Sequence, residues 1–271
     1  NIDLGPVVQH VTFEGKVEKI GDSAFYGGRK LEEIELPDSV KEIGNTAFYG
    51  CEKLNSITFG PNLTKIGKSA FEGAKGLTGL VIPEQLEEIG GDAFKGCSGL
   101  KKVEVRGNLA KQSAAFMEAG TEGFEVIYGG NVTSIGNLFY NSAVKSIQIP
   151  EGVEEIQNNA FYKCTNIKEI ILPESIKSVG NSAFQGCSAV NRLRIESPKC
   201  SYGPYYFPSF AGIGENGLRI EFGKKVTVIP NIDLGPVVQH VTFEGKVEKI
   251  GDSAFYGGRK LEEIELPDSV K

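Results

Sequence analysis

Apolar and polar residues alternate along this chain in short bursts, with no long amphipathic run. In LEEIEL the apolar positions are Leu31, Ile34 and Leu36, and the same spacing returns in LNSITF from Leu54 and in LTGLVI from Leu77. Apolar residues that alternate at the end of so short a stretch, as Ile34 and Leu36 do, are the pattern of a strand with one buried face. Each burst therefore predicts one short strand, for example over Leu31 to Leu36 and Val144 to Ile149. Proline has no amide hydrogen to give a ladder, so Pro37, Pro83, Pro150 and Pro173, which follow such bursts, are expected to end them. Ile-Gly and Ala-Phe-x-Gly pieces come next and are expected to turn the chain back, glycine accepting backbone conformations that other residues resist.

The bursts recur with a period of 23 residues in the frame L-x-x-I-x-I-P-x-x-V-x-x-I-G-x-x-A-F-x-G-C-x-x. Its most regular landmark is an aromatic: Phe25, Phe48, Phe71, Phe94, Phe116, Phe139, Phe161, Phe184, Phe210 and Phe255, with Leu234 in the equivalent place. Steps between landmarks range from 21 to 26 residues and total 230. Residues 231–271 repeat residues 1–41 without a change, at that same offset of 230. The long duplication thus keeps phase with the short period. Perfect identity over 41 residues, beside moderate similarity among the shorter copies, points to a second and later event, natural or engineered.

One coil of this length cannot bury its own apolar face, whereas stacked coils can. Leu31 is expected to sit over Leu54 and Leu77, Ile34 over Ile57 and Leu80, and Phe25 under Phe48, Phe71 and Phe94. The fold expected is a repeat solenoid over residues 1–271 as a single domain, mostly strand and turn with little helix. About eleven coils of about 23 residues at about 4.8 Å per strand would give one long parallel sheet of roughly 50 Å. Paired-helix repeats have longer periods and are disfavoured.

The repeated frame closely resembles the BspA-like subclass of leucine-rich repeats, over nearly the whole chain and most fully in residues 31–53, 77–99 and 167–189. The resemblance implies a right-handed solenoid on a cell-surface or secreted protein, used for adhesion or ligand capture, with no general catalytic residues and no cofactor. Residues 106–143 and 196–240 depart from the frame in their prolines, glycines and spacing, and coil shape is expected to differ there.

Composition narrows the function classes. With 29 Lys and Arg against 35 Asp and Glu the net charge is −6, so the chain lacks the broad positive surface that a nucleic acid backbone requires. Its apolar runs fall far short of the roughly 20 residues that span a bilayer, and no membrane insertion is expected of this stretch. It begins with Asn and opens on no charged-then-apolar leader. Cys51, Cys97, Cys164 and Cys187 each follow a landmark phenylalanine by three residues, where other copies carry Gly28 or Ala74, so the position selects small size. Cys200 lies outside the frame and is expected to be the most exposed thiol. No Cys and His spacing points to a metal. His10 and His240 are one position in the duplicated segment, with no motif around either. Nucleophile, phosphate-loop and H-E-x-x-H patterns are absent, and no catalytic residue is assigned.

Recognition residues are sought instead on the outward side of the strands, which a solenoid presents as a grid. Glu32, Glu33 and Glu35 make an acidic end; Arg192, Arg194 and Arg219 make a basic cluster able to hold a carboxylate or sulfate. Lys102, Glu104 and Gln148 are further candidate ligand-binding positions, whereas Glu87 and Glu88 fall at variable positions of a solvated face. The inserted segment CSYGPYYFPSF, residues 200–210, offers Tyr202, Tyr205 and Tyr206 as aromatic contacts for a ligand, with a cover for the core as the favoured alternative. Asn62 and Asn131 head N-x-[ST] triplets, which matter only in a eukaryotic secretory context.

Three functional readings follow. The first is a non-enzymatic recognition or adhesion module on a surface or secreted protein, binding an extracellular protein or glycan. The second is a structural stalk or spacer whose function lies in other domains, and the third is an engineered repeat scaffold. The chain reads as a piece of a longer array. It starts partway through a coil and stops at Lys271, where the first copy runs on into Glu42, so weak end-to-end self-association of the matching ends is expected.

Overall fold

Side-chain alternation shapes most of the longer strands. The computed structural model describes residues 8–109, 111–198, 210, 212–214, 217–229, 237–252, 254–255, 258–264 and 266–270. Strand Glu33–Glu35 buries Ile34 and exposes both glutamates, and Gly79–Ile82 buries Leu80 and Ile82 while exposing the residues between. Proline ends these strands as expected and also starts the next turn. The carbonyls of Pro37, Pro83, Pro150 and Pro173 accept hydrogen bonds from the amides of Val40, Leu86, Val153 and Ile176, three residues on.

Most coils carry, among the described residues, a second strand that the period-two pattern did not single out, because two residues are too few to show a period. Glu42–Ile43, Lys65–Ile66 and Glu88–Ile89 are such strands, formed by the residues just before the frame's first glycine. That glycine is required by crowding rather than by conformational freedom. A Cβ on Gly90 would sit 2.5 Å from the amide nitrogen of Lys68, and one on Gly180 would sit 2.5 Å from that of Asn158. Freedom matters at the later glycine, where Gly50 and Gly186 have φ of 69° and 76°. Such coils therefore add to two parallel ladders rather than to one sheet, and there is no α-helix among the described residues.

Asn1–Val132 with Leu138–Val144 form one compact unit. Its longer strands pair in parallel as His10–Val11, Glu33–Glu35 and Ser56–Thr58, and as Gly79–Ile82, Lys102–Val105 and Phe124–Tyr128. Its short strands, Lys19–Ile20, Glu42–Ile43, Lys65–Ile66, Glu88–Ile89 and Lys111–Gln112, make a five-stranded sheet. Register places Ile34 against Ile57 and Leu80 against Val103, as stacked coils require. Leu31, Leu54 and Leu77 are wholly buried. Phe25, Phe48, Phe71, Phe94, Phe116 and Phe139 form one column of rings with centroids 4.9–5.1 Å apart. The amides of Phe25, Phe48, Phe71 and Phe94 each donate to the alanine carbonyl of the next coil at 2.7 Å, so the column is tied by backbone as well as by ring contact. Burying one such ring contributes about 1.5–3 kcal/mol, and its ring contacts about 0.5–1.5 more. In the departing stretch 106–143 the amides of Ala115 and Phe116 both donate to the Leu138 carbonyl. The Phe116 and Phe139 planes open there to 30°, yet their centroids stay 4.9 Å apart.

Thr133–Asn137 with Lys145–Lys271 form the other unit. Its longer strands, Glu169–Leu172, Arg192–Ile195, Leu218–Phe222, Val238–Phe243 and Glu263–Ile264, make a five-stranded parallel sheet. Short strands Ser134–Ile135, Glu155–Ile156 and Ser178–Val179 form a three-stranded ladder, and Val228–Ile229 pairs with Lys249–Ile250. Phe161, Phe184 and Phe210 stack at 5.3 and 5.4 Å. Register slips between Leu218 and Arg219, so that Leu218 pairs with Val238 and Arg219 with His240. The identical segments differ in their pairing: His10–Val11 is two residues long, whereas the matching stretch extends over Val238–Phe243 against Leu218–Phe222. Identical residues thus take their strand length from the neighbour they meet.

Candidate functional site on the outward strand face

Alternate residues of the longer strands point away from the core, and in-register parallel pairing lines them up from coil to coil. In the first unit one outward row runs His10, Glu33, Ser56, and another runs Gly79, Lys102, Glu125. Glu33, Glu35 and Lys102 are exposed; Glu104 is half-buried and accepts a hydrogen bond from Arg106 Nε at 2.7 Å. Gln148 is exposed at the end of its strand. Glu32 is half-buried beside the acidic pair.

The second unit carries the densest chemistry. Its first outward row is Glu169, Arg192, Arg219, His240, Glu263, and beside it runs Ile171, Arg194, Glu221, Thr242. Arg192 grips Glu221 with two donors, Nε at 3.0 Å and Nη2 at 2.7 Å, and also reaches Glu169. Arg194 grips Glu244 through Nη1 and Nη2 at 2.6 and 2.9 Å, touches Glu221 at 3.2 Å, and reaches Glu196. Glu221 is the shared centre, only 14% exposed. The hydrogen bond from Arg192 holds its carboxyl below the usual carboxylate range, against the opposing pull of burial. Arg194 does the same for Glu244. The expected basic cluster therefore divides. Arg192 and Arg194 are neutralised by the chain's own carboxylates, while Arg219 is exposed and makes no ion pair with any described residue.

Beside Arg219 the sheet surface dips into a hollow of about 260 Å³, lined by Arg219, His240, Val241, Thr242, Phe243 and Glu263. His240 Nδ1 lies 3.7 Å from Glu263 Oε2. Sequence reasoning passed over His240 because nothing near it in the chain marks it, although it stands two residues before Thr242 as Arg219 stands two before Glu221, and unbroken register from that row sets the two side by side. It also passed over an aromatic pair. Tyr26 and Tyr49 stack at 4.9 Å with planes 4° apart, although Tyr26 is 59% exposed. Both follow a landmark phenylalanine directly, a signal readable from the repeat frame.

Other sequence candidates fall elsewhere. Tyr202, Tyr205, Tyr206 and Cys200 lie outside the described residues. Cys51, Cys97, Cys164 and Cys187 are buried and free of disulfides. The Cys51, Cys97 and Cys187 thiols donate to the carbonyls of Phe25, Phe71 and Phe161, one coil earlier, at 3.1–3.2 Å. Burial pushes the Cys51 thiol up to about 11, and it raises Cys97 and Cys187 as well, so these thiols are packing groups with little thiolate character. Glu88 pairs with Lys65 at 3.2 Å and Glu42 with Lys19 at 2.9 Å, giving the short-strand sheet a row of alternating charge. Among the described residues no group of three or more His, Cys, Asp or Glu side chains is placed to hold a metal ion.

A family model described as a BspA type leucine rich repeat region matches in six copies, over residues 7–121, 133–231 and 235–271. No curated protein is similar to the chain in sequence. Among solved structures, a leucine-rich repeat protein from Bacteroides ovatus is 26% identical with a TM-score of 0.63, over 96% of this chain and 67% of its own. The pneumococcal vaccine antigen PcpA is 21% identical with a TM-score of 0.47, over 87% of this chain and 71% of its own.

Proposed function

Because the chain belongs to the BspA-type leucine-rich repeat family, we propose that it is a non-enzymatic recognition module of a cell-surface or secreted protein, binding a protein or glycan ligand across its outward strand face. The observation that carries this reading is the second unit's outward grid, where charged side chains from successive coils stand in registered rows beside an open hollow. A parallel ladder fixes the spacing of such rows, so several weak contacts act together on one extended partner without the chain having to reorganise. The resemblance of the repeat frame to its family supports the cell-surface or secreted location and the adhesive role proposed here.

One face favours the spacer reading. The short-strand sheet pairs its own charges, Lys19 with Glu42 and Lys65 with Glu88, which leaves little unsatisfied for a ligand. Capture from a soluble extract of extracellular matrix, followed by surface plasmon resonance on what is retained, separates the two. Saturable binding is expected of a recognition module. A chain that retains nothing saturable at micromolar concentration is a spacer.

A further inference from the structure

We propose that the hollow beside Arg219 is a binding site for an oxyanion, a sulfate or carboxylate group borne on a ligand of the outward face. The proposal rests on the recognition reading above. Its first support is a charge left over. The carboxylates of Glu169, Glu196, Glu221 and Glu244 are all engaged by Arg192 and Arg194, and none of them pairs with Arg219. Register sets Arg219 between Arg192 on one side and His240 on the other. Neighbouring strands are about 4.8 Å apart, and like charges facing one another across a ladder destabilise it. Glu169 and Glu221 relieve Arg192 of that repulsion; Arg219 makes no ion pair with any described residue, Glu263 across the hollow included.

The second support is the shape and lining of the site. A guanidinium presents a planar fork that holds an oxyanion with two parallel hydrogen bonds, as Arg194 already does with Glu244. The Thr242 hydroxyl and the His240 imidazole line the same hollow and bring further hydrogen-bonding groups. At about 260 Å³ the hollow is larger than a bare sulfate fills, which favours an anion carried on a bigger ligand over a free ion. Glu263 marks the opposite rim, 3.7 Å from His240 Nδ1, and its charge opposes an anion in the hollow.

Isothermal titration calorimetry with a sulfated disaccharide, its unsulfated counterpart and sodium sulfate tests the site on the full chain. The sulfated disaccharide is expected to bind saturably and more tightly than sodium sulfate, and the unsulfated sugar to bind far more weakly. Arg219→Gln should weaken the sulfated probe by about tenfold or more, Arg219→Lys should fall between, and Glu263→Gln should tighten it. Arg29→Gln, at an exposed arginine of the other unit, should change nothing. Binding that survives Arg219→Gln, equal affinity for both sugars, sodium sulfate binding as tightly as the sulfated disaccharide, or no heat from either sulfated probe would overturn the proposal. Sulfated-disaccharide binding without any captured macromolecule would sink the recognition reading and leave the anion site standing. Macromolecular capture that is indifferent to Arg219→Gln would do the reverse.

Discussion

Lys163 stands where most other copies of the frame carry glycine, and it keeps the left-handed backbone of that position, with φ of 55°. A side chain there costs about 1–2 kcal/mol relative to glycine. The Lys163 ammonium 5.4 Å over the Tyr162 ring returns only about 0.5–1 kcal/mol of that. Lys163→Gly is therefore expected to raise the urea midpoint, by an amount corresponding to about 0.5–1 kcal/mol. An unchanged or lower midpoint would mean the lysine is held by more than its ring contact. Glu221 supplies a second test at this scale. Its carboxyl titrates below the ordinary value of 4.5 when folded, so the folded chain binds fewer protons there than the unfolded chain does. The stabilisation is complete above that value and disappears as pH falls through the folded-state one. Glu221→Gln should cost about 1.5 kcal/mol at pH 7, and the gap from the natural chain should narrow as pH is taken below 4.5 through the lowered folded-state value. A gap that does not narrow would show that Glu221 acts through shape rather than charge.

Glycine separates the elements of the coil by mechanism. Gly90 abuts the backbone of the preceding coil, with a virtual Cβ 2.5 Å from the Lys68 nitrogen, whereas Gly79 faces outward with nothing within 4 Å of its own. Gly90→Ala is expected to lower stability by about 1–3 kcal/mol through forced separation of two coils. Gly79→Ala should be neutral or mildly stabilising, since glycine weakens a strand interior. Equal effects at the two positions, read from thermal melts, would refute this division. The same contrast explains what the sequence made legible. The phenylalanine column, the burial of Leu31, Leu54 and Leu77, and the strand-ending prolines follow from a repeat period and from residue chemistry, both of which are written along the chain. The two-residue strands were not legible, because their order comes from pairing with the coil before and after. Nor was the division of the basic cluster. Glu196 and Glu244 are ordinary charged residues until folding sets them beside Arg194.

For the whole molecule, one architectural rule bears on stability and on the proposed recognition. Inward residues stack with their own kind, and outward residues outside the Arg192–Arg194–Glu221 network vary widely because the backbone ladders hold the coils. Fold and specificity are thereby uncoupled, and this suits a repeat array to recognition. The uncoupling leads to one measurement. In a variant carrying Glu33→Ser, Glu35→Ser, Lys102→Ser, Glu104→Ser, Gln148→Ser and Arg219→Ser, every change falls on an outward position and none on the apolar columns. Its circular dichroism and melting temperature should stay close to those of the natural chain. Biolayer interferometry of both proteins against a panel of extracellular-matrix proteins and glycosaminoglycans is the direct test. Saturable binding by the natural chain that the folded variant has lost is the expected result. Binding of equal strength by both would contradict the claim that the outward strand face is the recognition surface.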